Sequence, residues 1–234
     1  MEYARLDPNE SRFKGSDGKV DQTKVDGAMK QVLAEKMSRA ALSNYDAIVF
    51  ANTTGELPLP DKQALLDFVG SGKGFVGMHA ATDTLHNFKP YLKMIGAEFV
   101  NHGGQVPVEV INEDPESPAC KHLPARWKVT DEIYTFDNFY RYKVHGLLRL
   151  DKHADFKTQG DFPISWCRYY GKGRVFYTSL GHREDIWDED TPPSYKRLNS
   201  KEVSEAYQKH ILSGIKWTLG LEQWDAKPQA TATQ

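Results

Sequence analysis

Apolar positions along this chain come in two rhythms, short unbroken runs and longer stretches at helical spacing, and their alternation predicts an α/β domain. Val25, Ala28, Met29, Val32, Leu33 and Met37 recur on one side of a helix running to about Leu42. Asp46-Ala47-Ile48-Val49-Phe50-Ala51 is almost wholly apolar after a polar turn, the pattern of a strand buried on both faces of a parallel sheet. Asn52-Thr53-Thr54-Gly55 is its loop. Pro60 and Asp61 open a helix with an inner stripe of Ala64, Leu65, Phe68 and Val69, which Gly70-Ser71-Gly72 closes. A second apolar run, Gly74 to Met78, completes a βαβ unit.

A helix near Lys89 to Ile95, ended by Gly96, precedes a strand-rich stretch. Val106 to Ile111 alternates and contains Pro107, which suits an edge or half-exposed strand. Trp127 to Phe136, Val144 to Leu150 and Ile164 to Tyr170 read similarly, and Gly171-Lys172-Gly173 turns into the apolar run Arg174 to Leu180. A polar loop covers about Glu184 to Leu198. A last helix turns Val203, Ala206, Tyr207, Ile211, Ile215 and Trp217 inward. These patterns predict a starting segment with one helix over 1–42, a domain over 43–222 and a disordered tail over 223–234.

Two of the core runs end in an imidazole. Gly77-Met78-His79-Ala80-Ala81 places small residues around His79 where a strand should turn sharply into a helix, and Gly181-His182 ends the Arg174 run. In a parallel α/β sheet ligands bind at the carboxyl ends of the strands, so the two histidines are expected to share one site there. A lone histidine at a strand end is also what an ordinary polar terminus looks like; the pair favours chemistry. Glu184, two residues beyond His182, is a candidate to orient that ring. Asp131 and Glu132 sit in a strand where neighbours alternate, so one should face the core side. The candidate catalytic set is therefore His79, His182, Glu184 and Glu132. His102, before Gly103-Gly104 at an expected strand-to-turn junction, joins His79 and His182 as a candidate ligand for a divalent metal with an open position for water. No compact ligand motif such as His-Glu-x-x-His supports that site. Asn52, Thr53, Thr54, Asp83, Tyr134 and Trp166 are candidate substrate contacts, with Tyr134, Trp166 and Trp187 offering faces for sugar rings.

Composition removes other options. At 234 residues with a formal charge of −2, the chain has a core-sized apolar content and no basic footprint for nucleic acid or an anionic membrane. No apolar stretch is long enough to span a bilayer. Neither glycine-rich segment matches a phosphate-binding fingerprint. Cys120 and Cys167 form neither a disulfide framework nor a zinc-knuckle spacing and read as packing residues.

Taken together, Tyr45 to Gly55, Gly74 to Thr84, Asp131-Glu132-Ile133-Tyr134, Pro163 to Cys167 and Gly173 to His182 resemble the ThuA-like (trehalose utilisation) family from about Ser43 to Gly220. The resemblance implies a flavodoxin-like, class I glutamine amidotransferase-like three-layer sandwich with a mainly parallel sheet. In those amidotransferases the elbow carries a cysteine; here that position matches His79, while His182 and Glu184 match the later His and Glu. Without a thiol there, glutamine hydrolysis by that route is excluded. The resemblance implies carbohydrate catabolism, with trehalose or keto-glycosides as substrates of a hydrolase or lyase; a non-catalytic sugar-binding or interaction module on the same scaffold is the alternative. A small-molecule carbohydrate is thus the expected partner, a divalent metal the expected cofactor if there is one, and a homo-oligomer stays open. The family's usual first strand has no counterpart here, so the sheet is expected to begin at Glu2 to Leu6, with a free slot beside Asp46 to Ala51. As written the chain would be cytoplasmic; an upstream segment bearing a secretion signal would make it periplasmic or secreted.

Overall fold

The computed structural model describes residue 2, residues 4–155 and residues 157–229. A seven-stranded sheet runs β1 (Ala47–Ala51), β2 (Gly74–Met78), β7 (Gly173–Thr178), β6 (Gln159–Tyr170), β5 (His145–Lys152), β3 (Glu98–Asn112), β4 (Arg126–Asp137). Only the β1–β2 and β2–β7 pairings are parallel, and the other four are antiparallel. The expected mainly parallel sheet is therefore corrected to a mixed one. The reason lies in the connections. A parallel pair needs a crossover of a dozen or more residues, and β6 reaches β7 through Gly171 and Lys172 alone, with Gly171 at φ +57°.

Helices cover both faces of the parallel half. On one side pack α1 (Gln22–Met37), α2 (Arg39–Leu42), α3 (Lys62–Gly70) and α4 (Lys89–Ile95), where Leu33, Met37, Leu42, Phe68, Tyr91 and Ile95 close on Phe75, Val175 and Tyr177. On the other, α6 (Lys201–Thr218) lays Tyr207, Ile211 and Trp217 against Val76 and Phe176. The single helix expected up to Leu42 is split at Ser38, whose side chain caps Ala41 and starts α2. Asp61 caps α3 by accepting from the Ala64 amide. The acidic loop after His182 holds one short helix, α5 (Glu184–Trp187).

The sheet begins at β1, which pairs only with β2 among the described strands and leaves Val49 44% exposed. Residues 2 and 4–6 form no strand, contrary to expectation, and Tyr3 lies outside the described residues. Glu2 instead binds Lys36 and the Tyr45 hydroxyl. The expected disordered tail is also corrected as far as residue 229. Trp224 stacks on Trp217 with ring centroids 5.0 Å apart, Ala226 is buried, and the Lys227 carbonyl meets His145 Nδ1 at 3.0 Å. Residues 230–234 lie outside the description. No helix among the described residues is long and apolar enough to cross a membrane.

The β3–β4 hairpin positions the site. β3 pairs with β5 only at Ile111 and Asn112, so its first half leaves the sheet with β4 and arches toward the end of β2. Register breaks at Phe99/Asn101 and His102/Gln105 provide the bend.

Candidate functional site at the carboxyl ends of the parallel strands

β2 stops at Met78, and His79 adopts φ +46°, a left-handed conformation that a non-glycine residue adopts at a cost. Gly77 makes the turn possible: a Cβ there would lie 2.8 Å from Ile95 and 3.2 Å from Ala81. The turn buries the imidazole to 4% exposure. His79 Nδ1 lies 2.7 Å from the Ser179 carbonyl, which only accepts, so the proton is on Nδ1 and the Nε2 lone pair faces the site. Burial is the main cause that lowers its pKa to about 4; the Ser179 bond opposes it, and His182 and His102 push the same way as burial. The ring is thus a neutral acceptor near pH 7.

Three other groups converge on that lone pair. Tyr134 donates its hydroxyl to Nε2 at 2.8 Å, His182 Nδ1 lies 3.3 Å away and Glu132 Oε2 3.5 Å away. The same Glu132 oxygen is 3.3 Å from His182 Nδ1, while Oε1 is 3.0 Å from His102 Nδ1. One ligand atom each from His79, Glu132 and His182 fits within 4.8 Å, the spacing of a divalent-cation site. His79 and Glu132 are buried, whereas the His102 and His182 side chains are 42% and 41% exposed. Two imidazoles and a carboxylate suit a first-row divalent ion and leave coordination positions for substrate or water.

The loop carrying His182 is fixed from several sides. Asp131, wholly buried, accepts the Gly181 amide on Oδ2 at 2.6 Å and the Arg183 amide on Oδ1 at 3.1 Å. Burial raises its pKa to about 6 although those amides favour the ionised form. The Gly181 carbonyl accepts from Asn52 Nδ2 and Trp187 Nε1, and Gly181 holds φ +129° where a Cβ would lie 2.8 Å from Tyr207 Oη. Arg183 pairs with the buried Asp185, whose carboxylate is held well below its ordinary range: burial opposes this, but Arg183, Leu198 and Asn199 overcome it.

His79, His182 and Glu132 come together. His102 belongs with them through Glu132, but lies inside β3 at a bulge rather than at a strand-to-turn junction. Asp131 and Glu132 do not divide between core and surface, because the strand is covered by the 181–183 loop on one face and the site on the other; both are buried. Glu184 is exposed at the start of α5, where its amide meets Tyr195 Oη, so the acid supporting the imidazoles is Glu132. Trp166 is wholly buried and donates Nε1 to the Ile95 carbonyl, so it offers no face to a sugar. Trp187 packs edge-on to Tyr207. Tyr134 presents its hydroxyl; its ring is packed against His79 and Phe99.

The expected polar contacts are used largely within the protein. Asn52 ties the ends of β1 and β7 together, Thr53 and Thr84 share a hydroxyl bond, and Thr54 donates to Asp83 Oδ2. Asp83 Oδ1 meets His86 Nε2 at 2.7 Å, and His86 Nδ1 meets Glu98 at 3.0 Å. Burial opposes the charge on His86, but its two carboxylates overcome that and raise its pKa. This bridge, between the turn after His79 and the start of β3, had no signal in the sequence.

A sequence profile of the ThuA family, described as trehalose utilisation, matches residues 15–195. The fold resembles crystal structures of two putative ThuA-like proteins. For that from Parabacteroides merdae the TM-score is 0.61 at 19% identity, covering 76% of this chain and 71% of the other. For that from Bacteroides uniformis it is 0.60 at 23% identity, covering 79% and 73%. No curated protein matches the sequence.

Proposed function

We propose that this chain, which belongs to the trehalose utilisation (ThuA) family, is a carbohydrate-processing enzyme, a hydrolase or lyase of glycosides such as trehalose or keto-glycosides, centred on a divalent cation held by His79, Glu132 and His182. The observation that carries this reading is the convergence of three ligand atoms within 4.8 Å at the carboxyl ends of β2 and β7. The Ser179 carbonyl commits His79 to the tautomer that ligates through Nε2, as a supporting acceptor does for a metal-bound imidazole. A bound cation would supply Lewis acidity toward a sugar hydroxyl or carbonyl. His102, exposed beside Glu132, is positioned to hold or move a proton at its Nε2 edge, and the Tyr134 hydroxyl, whose bond to His79 Nε2 a cation on that lone pair would displace, would be free to donate one.

Thiol chemistry has no support. Cys120 and Cys167 are wholly buried, and burial raises both thiols, Cys167 to about 12.

The reading is tested by metal analysis of the purified protein, with turnover assays on trehalose and keto-glycosides before and after chelation and reloading. Stoichiometric metal and metal-dependent turnover support it. Sugar binding without metal or turnover would indicate the binding module instead.

A further inference from the structure

We infer that Asp131 is a positioning residue that sets His182 in place for the cation through the two loop amides flanking it. The inference rests on the reading of His79, Glu132 and His182 as a cation site. Asp131 and Glu132 are adjacent in β4, and their side chains do complementary work: Glu132 Oε2 faces His182 Nδ1 at 3.3 Å, while Asp131 accepts the amides of Gly181 and Arg183. His182 is therefore held between a carboxylate at its ring and a carboxylate at its backbone, both from one strand.

The chemistry requires an acid at this position. A carboxylate accepts on both oxygens, so it can take two amides at once. Asparagine would present one oxygen and one amino group, and the amino group would confront a donor. Arg183 does not neutralise Asp131, since its guanidinium is bonded to Asp185, Gln105 and the Lys196 carbonyl. A wholly buried carboxylate without a cationic partner is costly, and the geometry gives it a purpose: it fixes the backbone on either side of a ligand whose side chain is 41% exposed and would otherwise turn freely.

The test uses Zn2+ and Co2+ alone on the full chain, comparing wild type, Asp131→Asn, His182→Ala and the double variant. Melting temperature and circular dichroism verify the fold. Asp131→Asn is expected to weaken Zn2+ binding roughly 10–100-fold, the range for loss of a residue supporting a ligand, and to change the Co2+ visible spectrum. In the His182→Ala background it should cost less than about threefold, because a residue acting through His182 has nothing left to position. Wild-type affinity and spectrum in Asp131→Asn, or a full loss added to that of His182→Ala, would overturn the inference. If wild type binds neither ion, the cation-site reading itself has failed. If Asp131→Asn does not fold, Arg183→Pro deletes one clamped amide at φ −76°, which proline accepts, and Arg183→Ala removes the same side chain but keeps the amide. Weaker Co2+ binding by the proline variant is expected; equal binding would overturn the proposal.

Discussion

The Nδ1–H of His79 is donated to the Ser179 carbonyl across 100 residues of sequence at 2.7 Å, joining the ends of two neighbouring parallel strands. That bond fixes which nitrogen faces the site. His79→Ala removes the ligand and empties the left-handed turn of its imidazole. Cation binding should fall by more than the roughly 10–100-fold that loss of a supporting residue costs, measured by Zn2+ competition titration. Unchanged affinity would show that His79 ends its strand without ligating.

Gly181→Ala should disturb the same centre from the backbone side. A Cβ would stand 2.8 Å from Tyr207 Oη and 2.9 Å from Trp187, at φ +129°. A loss of about 1–3 kcal/mol in denaturant unfolding is expected, together with weaker cation binding. A variant as stable as wild type would mean that the loop has room to shift.

Buried neutral histidines should make the fold acid-sensitive. Burial lowers both His79 and His210 to about 4, below their ordinary 6.5. Between those values the unfolded chain binds protons that the folded one refuses, so each contribution is full above about pH 6.5 and fades as pH falls toward 4, by on the order of 3 kcal/mol. Asp131, raised to about 6, acts in the opposite sense over part of that window. The clean readout is therefore a difference. The destabilisation caused by His210→Gln should be largest near pH 7 and shrink toward pH 4.5, and a constant gap would contradict the assignment.

How much of this was legible follows from sequence distance. Each parallel strand carries its own signal, an apolar run ending in small residues, so β1, β2, β7 and the meeting of His79 with His182 could be read locally. Glu132 and His102 could be named as candidates but not placed against the two imidazoles, because their position depends on a hairpin bending out of the sheet; its local trace is Gly103-Gly104 beside the register break at His102. Nearness in sequence to His182 favours Glu184, but α5 turns it outward and brings Asp185 inward. Trp166 illustrates the remaining limit, since an aromatic strand residue reads alike whether it faces a ligand or, as here, packs against Phe136, Phe139 and Tyr177.

The tail offers a pH dependence of opposite sign. Burial opposes charge on His145, yet its bonds to Asp114 and the Lys227 carbonyl overcome that and raise its pKa. Its contribution is present below about 6.5 and lost as pH rises through the folded value. The segment around Trp224 should become more susceptible to proteolysis above that point, and His145→Gln should remove the pH dependence. Equal cleavage at all pH values would show that Trp224 stacking alone retains the tail.

The cation site is tested most directly by elemental analysis of the purified full-length protein beside Glu132→Gln, with melting curves in chelator and in added Zn2+. Wild type is expected to carry one equivalent of a divalent metal and the variant almost none. The wild-type melting temperature should also rise with Zn2+, by a stabilisation of about 2.7 kcal/mol at a hundredfold excess over Kd, and that of the variant should not. Wild-type protein that carries no metal and melts identically in chelator and Zn2+, or a Glu132→Gln variant that binds as wild type does, would contradict it.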